Sequence, residues 1–134
     1  MQRTITLFDT KQHHIHTTFF VTHPETGTRH SFDGIIDTGA PHTEFSDVVL
    51  ARAGFIKSTK GDIHIKKGLQ TQKYGKLMLP AVEICGQTFE QFETFISKLH
   101  ESWGIDALVG LDFFRKFDVT ISYNRGCIIT ERVG

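Results

Sequence analysis

The residue with the clearest capacity for chemistry in this chain is an aspartate at the junction between a strand and a turn. Residues 32–36 end in two β-branched isoleucines, which favour a strand. The turn that follows consists of Asp37, Thr38, Gly39 and Ala40. The donors nearest the carboxylate are the Thr38 hydroxyl and the amides of Gly39 and Ala40. The pattern predicts either a rigidly held carboxylate or an aspartate that merely caps a turn through an Asx-type bond.

A second apolar strand runs into a glycine late in the chain. Ala107, Leu108 and Val109 precede Gly110, and a short helix is predicted next, with Asp112 near its start. A negative charge is favourable there, which gives Asp112 a structural role in the prediction.

In their order and spacing, the segments 37–40 and 107–110 resemble the retropepsin-like aspartic proteases, the single-domain relatives of the retroviral proteases. The resemblance covers nearly the whole chain, from about residue 15 to residue 130. It implies an all-β fold, a small closed barrel of acid-protease type with one or two short helices and one lobe per chain. It also implies an aspartic endopeptidase that acts on a peptide or protein substrate.

Peptide hydrolysis of this kind needs two carboxylates that share one proton, and the chain supplies a single Asp-Thr-Gly. The second Asp37 is therefore expected from a second copy of the chain, in a homodimer whose active turns meet on a two-fold axis. By the resemblance, strands from the chain ends also join the subunits, with Ile128, Ile129 and Val133 as apolar pairing surface. The alternative is a catalytically silent peptide-binding or dimerisation module with the same fold.

The predicted peptide contacts come from a hairpin and from the second motif. Strands are predicted at residues 62–66 and 70–79, and the hairpin tip, Lys67, Gly68 and Leu69, corresponds by resemblance to the family's flap over the substrate. The alternative is an ordinary solvated hairpin.

Pocket contacts are also expected from Leu108, Val109 and His42. His42 could perturb the Asp37 carboxylate or contact the substrate, or it could be a surface histidine beside a turn. Two positions differ from the pattern of the retroviral members, because Pro41 and Leu111 stand where those proteins carry a supporting acidic residue and arginine. Such a buried ion pair can be exchanged for apolar residues at little cost.

Length and charge limit the other possibilities. At 134 residues the chain is predicted to be one domain, 1–134. Its 15 basic and 15 acidic residues balance, which favours neither nucleic acid nor an anionic membrane as a partner. No segment approaches the roughly 18 apolar residues of a membrane helix, and no signal peptide is evident, so a cytoplasmic location is expected.

No cofactor is expected. Cys85 and Cys127 are too few for a disulfide framework and are interpreted as buried free thiols. On a strand, His14 and His16 would share one face, which leaves a metal-binding protein as a third hypothesis; an exposed histidine pair on an edge strand is the simpler interpretation.

Strand-type residues and turn signals predict the elements that carry these motifs. Further strands are predicted at residues 4–8, 14–21, 29–36, 80–86, 118–123 and 127–131, and a short helix at 46–54. The resemblance implies a second short helix at 113–117. Residues 19–22 and 29–36 should pair as a hairpin that leads to Asp37. Phe89, Phe92 and Phe95 fit neither a regular strand nor a helix and are interpreted as core anchors, and Trp103 is expected to cover one end of the barrel.

Overall fold

The computed structural model describes residues 2–57, 71–99 and 101–132. Its elements in chain order are β1 (Arg3–Leu7), β2 (His16–Thr22), β3 (Arg29–Ile36), β4 (Glu44–Ser46), α1 (Asp47–Arg52), β5 (Thr71–Ile84), β6 (Gln87–Leu99), a 3-10 turn (Glu101–Trp103), β7 (Ala107–Val109), α2 (Leu111–Phe114), β8 (Phe117–Ser122) and β9 (Cys127–Arg132). Six strands close into a barrel in the order β2-β3-β7-β4-β6-β5, and the order β1-β9-β8 makes a second sheet. The predicted all-β closed barrel with two short helices is confirmed.

The β2–β3 hairpin brings the chain to Asp37. Residues of β2 alternate between buried and more exposed positions, and Phe19 and Val21 are fully buried. Phe19 lies opposite Phe32 in the antiparallel ladder, and Gly27 takes a φ of 71° in the connection. The hairpin predicted from the Pro and Gly spacing is therefore present.

Gly34 allows β3 to lie close to its neighbours. The strands are parallel, with Ile36 opposite Val109. A Cβ atom at Gly34 would lie 2.4 Å from Phe19 Cε2 and 2.8 Å from the Ala107 oxygen. Real Cβ atoms do not make such contacts, so a side chain at this position would push the strands apart.

The long β5–β6 hairpin forms the other side of the barrel. Its turn is Cys85-Gly86, with φ of 50° and 74°, and a bulge interrupts the register between Lys73 and Gly75. Phe92 is 4% exposed, whereas the Phe89 ring packs on the Phe113 ring at 5.9 Å. The predicted core anchors lie on a strand whose buried face changes between residues 89 and 92. The prediction is confirmed for Phe92 and for Phe89, which packs against the core, but it is wrong for Phe95, whose ring lies against His42 and two lysines of β5.

The helix α1 ends in a Schellman motif. The amide of Phe55 donates to the Leu50 oxygen at 2.9 Å, and that of Gly54 donates to the Ala51 oxygen at 3.1 Å. Gly54 has a φ of 85°, as this motif requires. Ser46 directly precedes the helix, and its side chain makes no capping hydrogen bond.

The second sheet corrects the predicted role of the C-terminal strand. β9 is the central strand, with β1 on one side and β8 on the other, and Ile128 is fully buried. Its backbone groups are used within the chain and cannot add a strand from a second copy. Within the described part of the chain, the unpaired edges of this sheet belong to β1 and β8, and β1 exposes 60% of Ile5 and 76% of Leu7.

Smaller corrections concern element boundaries. The α2 helix spans Leu111–Phe114 rather than residues 113–117, and Phe117 begins β8. The predicted strand at 62–66, the tip residues Lys67, Gly68 and Leu69, and Val133 lie outside the described residues. Among the described residues, no helix has the length and apolar character needed to span a membrane.

Candidate active site

Asp37, directly after β3, is held by two backbone–backbone hydrogen bonds and by one from a backbone amide to its carboxylate. Its amide donates to the Val109 oxygen at 2.9 Å, which continues the contact between β3 and β7. The Gly39 amide donates to Asp37 Oδ1 at 3.0 Å, as predicted. The Ala40 amide donates instead to the Asp37 carbonyl oxygen, at 3.1 Å. The carboxylate is thus held by an Asx-type bond. Such a bond is also found in ordinary turns, so a catalytic role depends on whether the carboxylate also reaches a cleft.

The second motif, around Gly110, packs against this turn and is hydrogen-bonded to it. The Leu111 amide donates to the Ala40 oxygen at 2.8 Å. A Cβ atom at Gly110 would lie 2.6 Å from the His42 oxygen and 2.7 Å from the Ala40 oxygen, so the turn packs directly on the glycine backbone. The two glycine-containing motifs therefore form one unit.

Asp112 locks the same unit through Thr43. The Thr43 amide donates to Asp112 Oδ2 at 2.9 Å, and the Thr43 hydroxyl donates to Oδ1 at 2.7 Å. The Gly110 amide donates to the Thr43 hydroxyl at 3.2 Å. Both oxygens of Asp112 are thereby engaged within the chain, which agrees with a structural role.

A cleft of about 850 Å³ opens beside Asp37. Cavities of this size accommodate ligands, since binding sites commonly enclose about 300–1,000 Å³. Its lining residues are His14, His16, Ile35, Ile36, Asp37, Gly39, Ala40, Pro41, Glu44, Trp103, Ile105 and Leu108. The walls are largely apolar, and two of the lining side chains are acidic.

The structure brings some of the predicted site residues to this cleft and leaves others outside it. Gly39, Ala40 and Leu108 line it together with Asp37, whereas Thr38 is exposed beside it. The Val109 side chain is fully buried, and this residue supports Asp37 only through its backbone oxygen.

His42 is not brought to the cleft. Its ring packs on the Phe95 ring at 4.8 Å, and the residue is exposed. The chain turns between Ala40 and Thr43 so that the His42 backbone, rather than its side chain, faces the second motif. The surface-histidine interpretation matches this placement better than a contact with the Asp37 carboxylate.

Two further lining residues, Glu44 and Trp103, were not assigned to the site from the sequence. Glu44 begins β4 and lines the cleft. Trp103, expected at one end of the barrel, is 37% exposed and also lines the cleft. A strand of three residues carries too little periodicity to be found from sequence, because its pairing partners come from distant segments.

The histidines of the third hypothesis lie on the cleft wall. His16 Nδ1 is 3.6 Å from Asp33 Oδ1, and His14 is exposed. Within the described ranges, no group of three or more histidine, cysteine, aspartate or glutamate side chains could hold a metal ion. The histidine pair thus lacks a third ligand in this part of the chain.

Comparison with known proteins gives a likeness in structure alone. No protein-family model matches the sequence, and no curated protein is significantly similar to it. A retropepsin-like aspartic protease from Rickettsia conorii superposes with a TM-score of 0.62 at 16% identity, over 96% of this chain and 90% of that one. The retroviral protease-like domain of Ddi1 from Leishmania major gives 0.58 at 13% identity, over 90% and 94%. The chain therefore has the fold of the retropepsin-like aspartic proteases.

Proposed function

We propose that this protein is an aspartic endopeptidase whose catalytic residue is Asp37. The observation that carries the proposal is the position of this carboxylate, fixed by the Gly39 amide at 3.0 Å and placed on the wall of a cleft of about 850 Å³. In the proposed site, Thr38, Gly39 and Ala40 form the turn that holds the carboxylate. Leu108 provides apolar wall for the peptide.

The proposed reaction uses a pair of carboxylates that hold one proton between them. The ionised member takes a proton from a water molecule as the water attacks the scissile carbonyl carbon. The protonated member donates to the carbonyl oxygen. Two like charges at close range cannot both stay ionised, which is why such a pair retains a proton at mildly acidic pH.

The second carboxylate is proposed to be Asp37 of a second subunit. Asp112 is engaged by the amide and the hydroxyl of Thr43 and does not line the cleft. A homodimer with the two Asp37 turns facing each other supplies the pair by symmetry. The fold of the similar structures and the single Asp-Thr-Gly both support this arrangement.

The hairpin tip at Lys67, Gly68 and Leu69 is proposed to close over the bound substrate. A lid over the cleft would exclude water and present backbone amides to an extended peptide. The proposal for this tip rests on the sequence resemblance. Cleft contacts from His42 and from the Val109 side chain are left out of it, because neither lines the cleft.

The test is digestion of a peptide library by the wild type and by Asp37→Asn. The amide is nearly isosteric with the carboxylate, so folding should be unchanged while cleavage falls by at least about 1,000-fold, the scale of losing an essential acid–base group. Asp118→Asn is the matched control, because Asp118 is an exposed carboxylate on β8 away from the cleft.

The outcomes separate the two hypotheses for this fold. Cleavage lost in Asp37→Asn and kept in Asp118→Asn supports the endopeptidase. A wild type that binds peptides but cleaves none at any pH from 4 to 7 supports the silent peptide-binding module instead. Cleavage that persists in Asp37→Asn, or that stops with a metal chelator, contradicts the mechanism.

A further inference from the structure

Two buried carboxylates lie near each other in sequence, and only one of them is paired with a cation. Asp47, at the start of α1, is 1% exposed, and its Oδ2 lies 2.7 Å from Lys98 Nζ. Glu44, at the start of β4, is 3% exposed, and its Oε1 accepts a hydrogen bond from the Ser97 hydroxyl at 2.8 Å. No lysine, arginine or histidine among the described residues forms an ion pair with Glu44.

The register of the barrel directs Glu44 toward the cleft. Glu44 lies opposite Leu108 in the antiparallel β4–β7 ladder, and residues that face each other across a ladder share one side of the sheet. Leu108 and Glu44 both line the cleft that contains Asp37. The buried carboxylate is thus part of the wall of the candidate active site.

Two lysines of β5 lie over a ring on the neighbouring strand β6 and form no ion pair with Glu44. Lys73 Nζ and Lys76 Nζ lie over the ring of Phe95, 5.4 and 5.3 Å from its centroid. The other titratable groups on the cleft wall are Asp37 and two histidines, and one of these, His16, faces Asp33 at 3.6 Å. Within the described residues, the carboxylates of Asp37 and Glu44 on the cleft wall thus form no ion pair with a lysine or arginine.

We propose that Glu44 is a specificity-determining residue that selects a lysine or arginine side chain in the bound peptide. Because an ionised carboxylate removed from water is costly unless it is paired, a cationic side chain in the cleft recovers free energy that a neutral one cannot. A peptide with an apolar residue at this place would leave Glu44 buried and unpaired. The inference rests on the proposed peptide-binding function of the cleft.

The first experiment measures sequence preference during cleavage. Wild type and Glu44→Gln would digest the same peptide library, with the cleaved bonds identified by mass spectrometry. For wild type we expect kcat/KM about tenfold or more higher for peptides with lysine or arginine at one position near the cleaved bond than for matched methionine or glutamine peptides. Glutamine keeps the length of the side chain and a partner for Ser97, so in Glu44→Gln we expect kcat/KM for lysine and arginine peptides to fall to the value for the matched neutral peptides.

A second experiment is independent of turnover. Immobilised Asp37→Asn protein would be exposed to the library, and the retained peptides would be sequenced. Enrichment of lysine or arginine that disappears in Asp37→Asn/Glu44→Gln supports the inference even if the wild type cleaves nothing. Glu90→Gln is the matched charge control, since Glu90 is an exposed carboxylate on β6 that lines a different hollow.

Three results would overturn the inference. One is a wild type that shows no cationic preference in binding or cleavage. Another is a preference that survives in Glu44→Gln or is lost equally in Glu90→Gln. The third is loss of all cleavage in Glu44→Gln, for neutral and cationic peptides alike, which would make Glu44 part of the chemistry rather than of selection.

Discussion

At the scale of single residues, the candidate site depends on groups that touch no substrate. Thr43 is fully buried and connects the Asp37 turn to the second motif, since its hydroxyl donates to Asp112 and accepts from the Gly110 amide. Asp112 was predicted to have a structural role, and its hydrogen bonds with Thr43 show what that role is. The position of the Asp37 carboxylate therefore depends on the neutral side chain of Thr43, which does not itself line the cleft.

Replacing Thr43 by valine should separate these roles. The substitution keeps the shape and the backbone bond to Asp112 but leaves one carboxylate oxygen and the Gly110 amide without their partner. Loss of a hydrogen bond to a charged group should lower the free energy of unfolding by about 2–3 kcal/mol, measured by urea denaturation. Thr120→Val, at an exposed position on β8, is the control and should change stability by less than about 0.5 kcal/mol. Equal effects at both positions would contradict the bracing role.

The buried thiol of Cys85 gives a prediction about pH. Burial raises its pKa from 9.0 to about 11, against the opposite effect of a hydrogen bond with Thr6. The folded state thus favours the neutral thiol, and its contribution is complete below pH 9 and is lost as pH rises from 9 to 11. Over this interval, wild type should lose roughly 2–3 kcal/mol more of its free energy of unfolding than Cys85→Ala does. Parallel pH profiles of the two proteins would contradict the shift.

At the scale of elements, the sequence predicted the strands and helices that are specified by residues close together in the chain. The hairpin leading to Asp37 follows from alternating apolar residues and from Pro24 and Gly27, and the end of α1 follows from Gly54. The strand β4 was missed because its three residues become a strand only by pairing with β6 and β7, far away in sequence. That omission is why Glu44 was not assigned to the site.

The phenylalanines of β6 illustrate a second limit. Their spacing fits no single period, because the buried side of the strand changes between Phe89 and Phe92. Opposite this segment, Ala81 takes a φ of 45°, a conformation that an alanine rarely adopts. Propensity could predict a strand with large rings, but not that Phe89 and Phe92 would contact the core while Phe95 would not, because Phe89 is oriented by its packing against α2 and β8.

The contact between α1 and β6 can be tested through its buried ion pair. Lys98→Met removes the ammonium group 2.7 Å from Asp47 Oδ2 and leaves a carboxylate that is 1% exposed without its cation. We expect the free energy of unfolding to fall by about 3–5 kcal/mol, the cost of breaking a buried pair from one side. Lys116→Met, at an exposed lysine, should be nearly neutral. Thermal or urea unfolding of both variants decides the matter.

At the scale of the whole molecule, the number of carboxylates links activity to assembly. If Asp37 of two subunits forms the site, specific activity should fall on dilution below the dimer dissociation constant, and sedimentation should show monomer at the same concentrations. A chain that is fully active as a monomer at every concentration would contradict the shared site. Glu44 would then be the first residue to test as the second carboxylate, since it lines the same cleft as Asp37, whereas Asp112 does not.

The expected contribution of the C-terminal strand to the dimer would be poorly tested by truncation. Arg132 donates from Nε to Gln87 Oε1 at 3.1 Å and from Nη2 to the Thr88 oxygen at 2.7 Å. Deleting the residues after Thr130 would remove these contacts within one chain. Any loss of dimer would then be mixed with a loss of folding.

The pairing of β1 with β9 also has a consequence for how the protein is made. Ile5 pairs with Ile129, so β1 is synthesised well before the strand that it pairs with. At roughly 5–20 residues per second, the interval is on the order of 10 s. During that time the backbone of β1 has no partner strand, and its apolar side chains Ile5 and Leu7 are exposed. Chaperones that recognise short apolar segments are therefore expected to bind β1 in this interval.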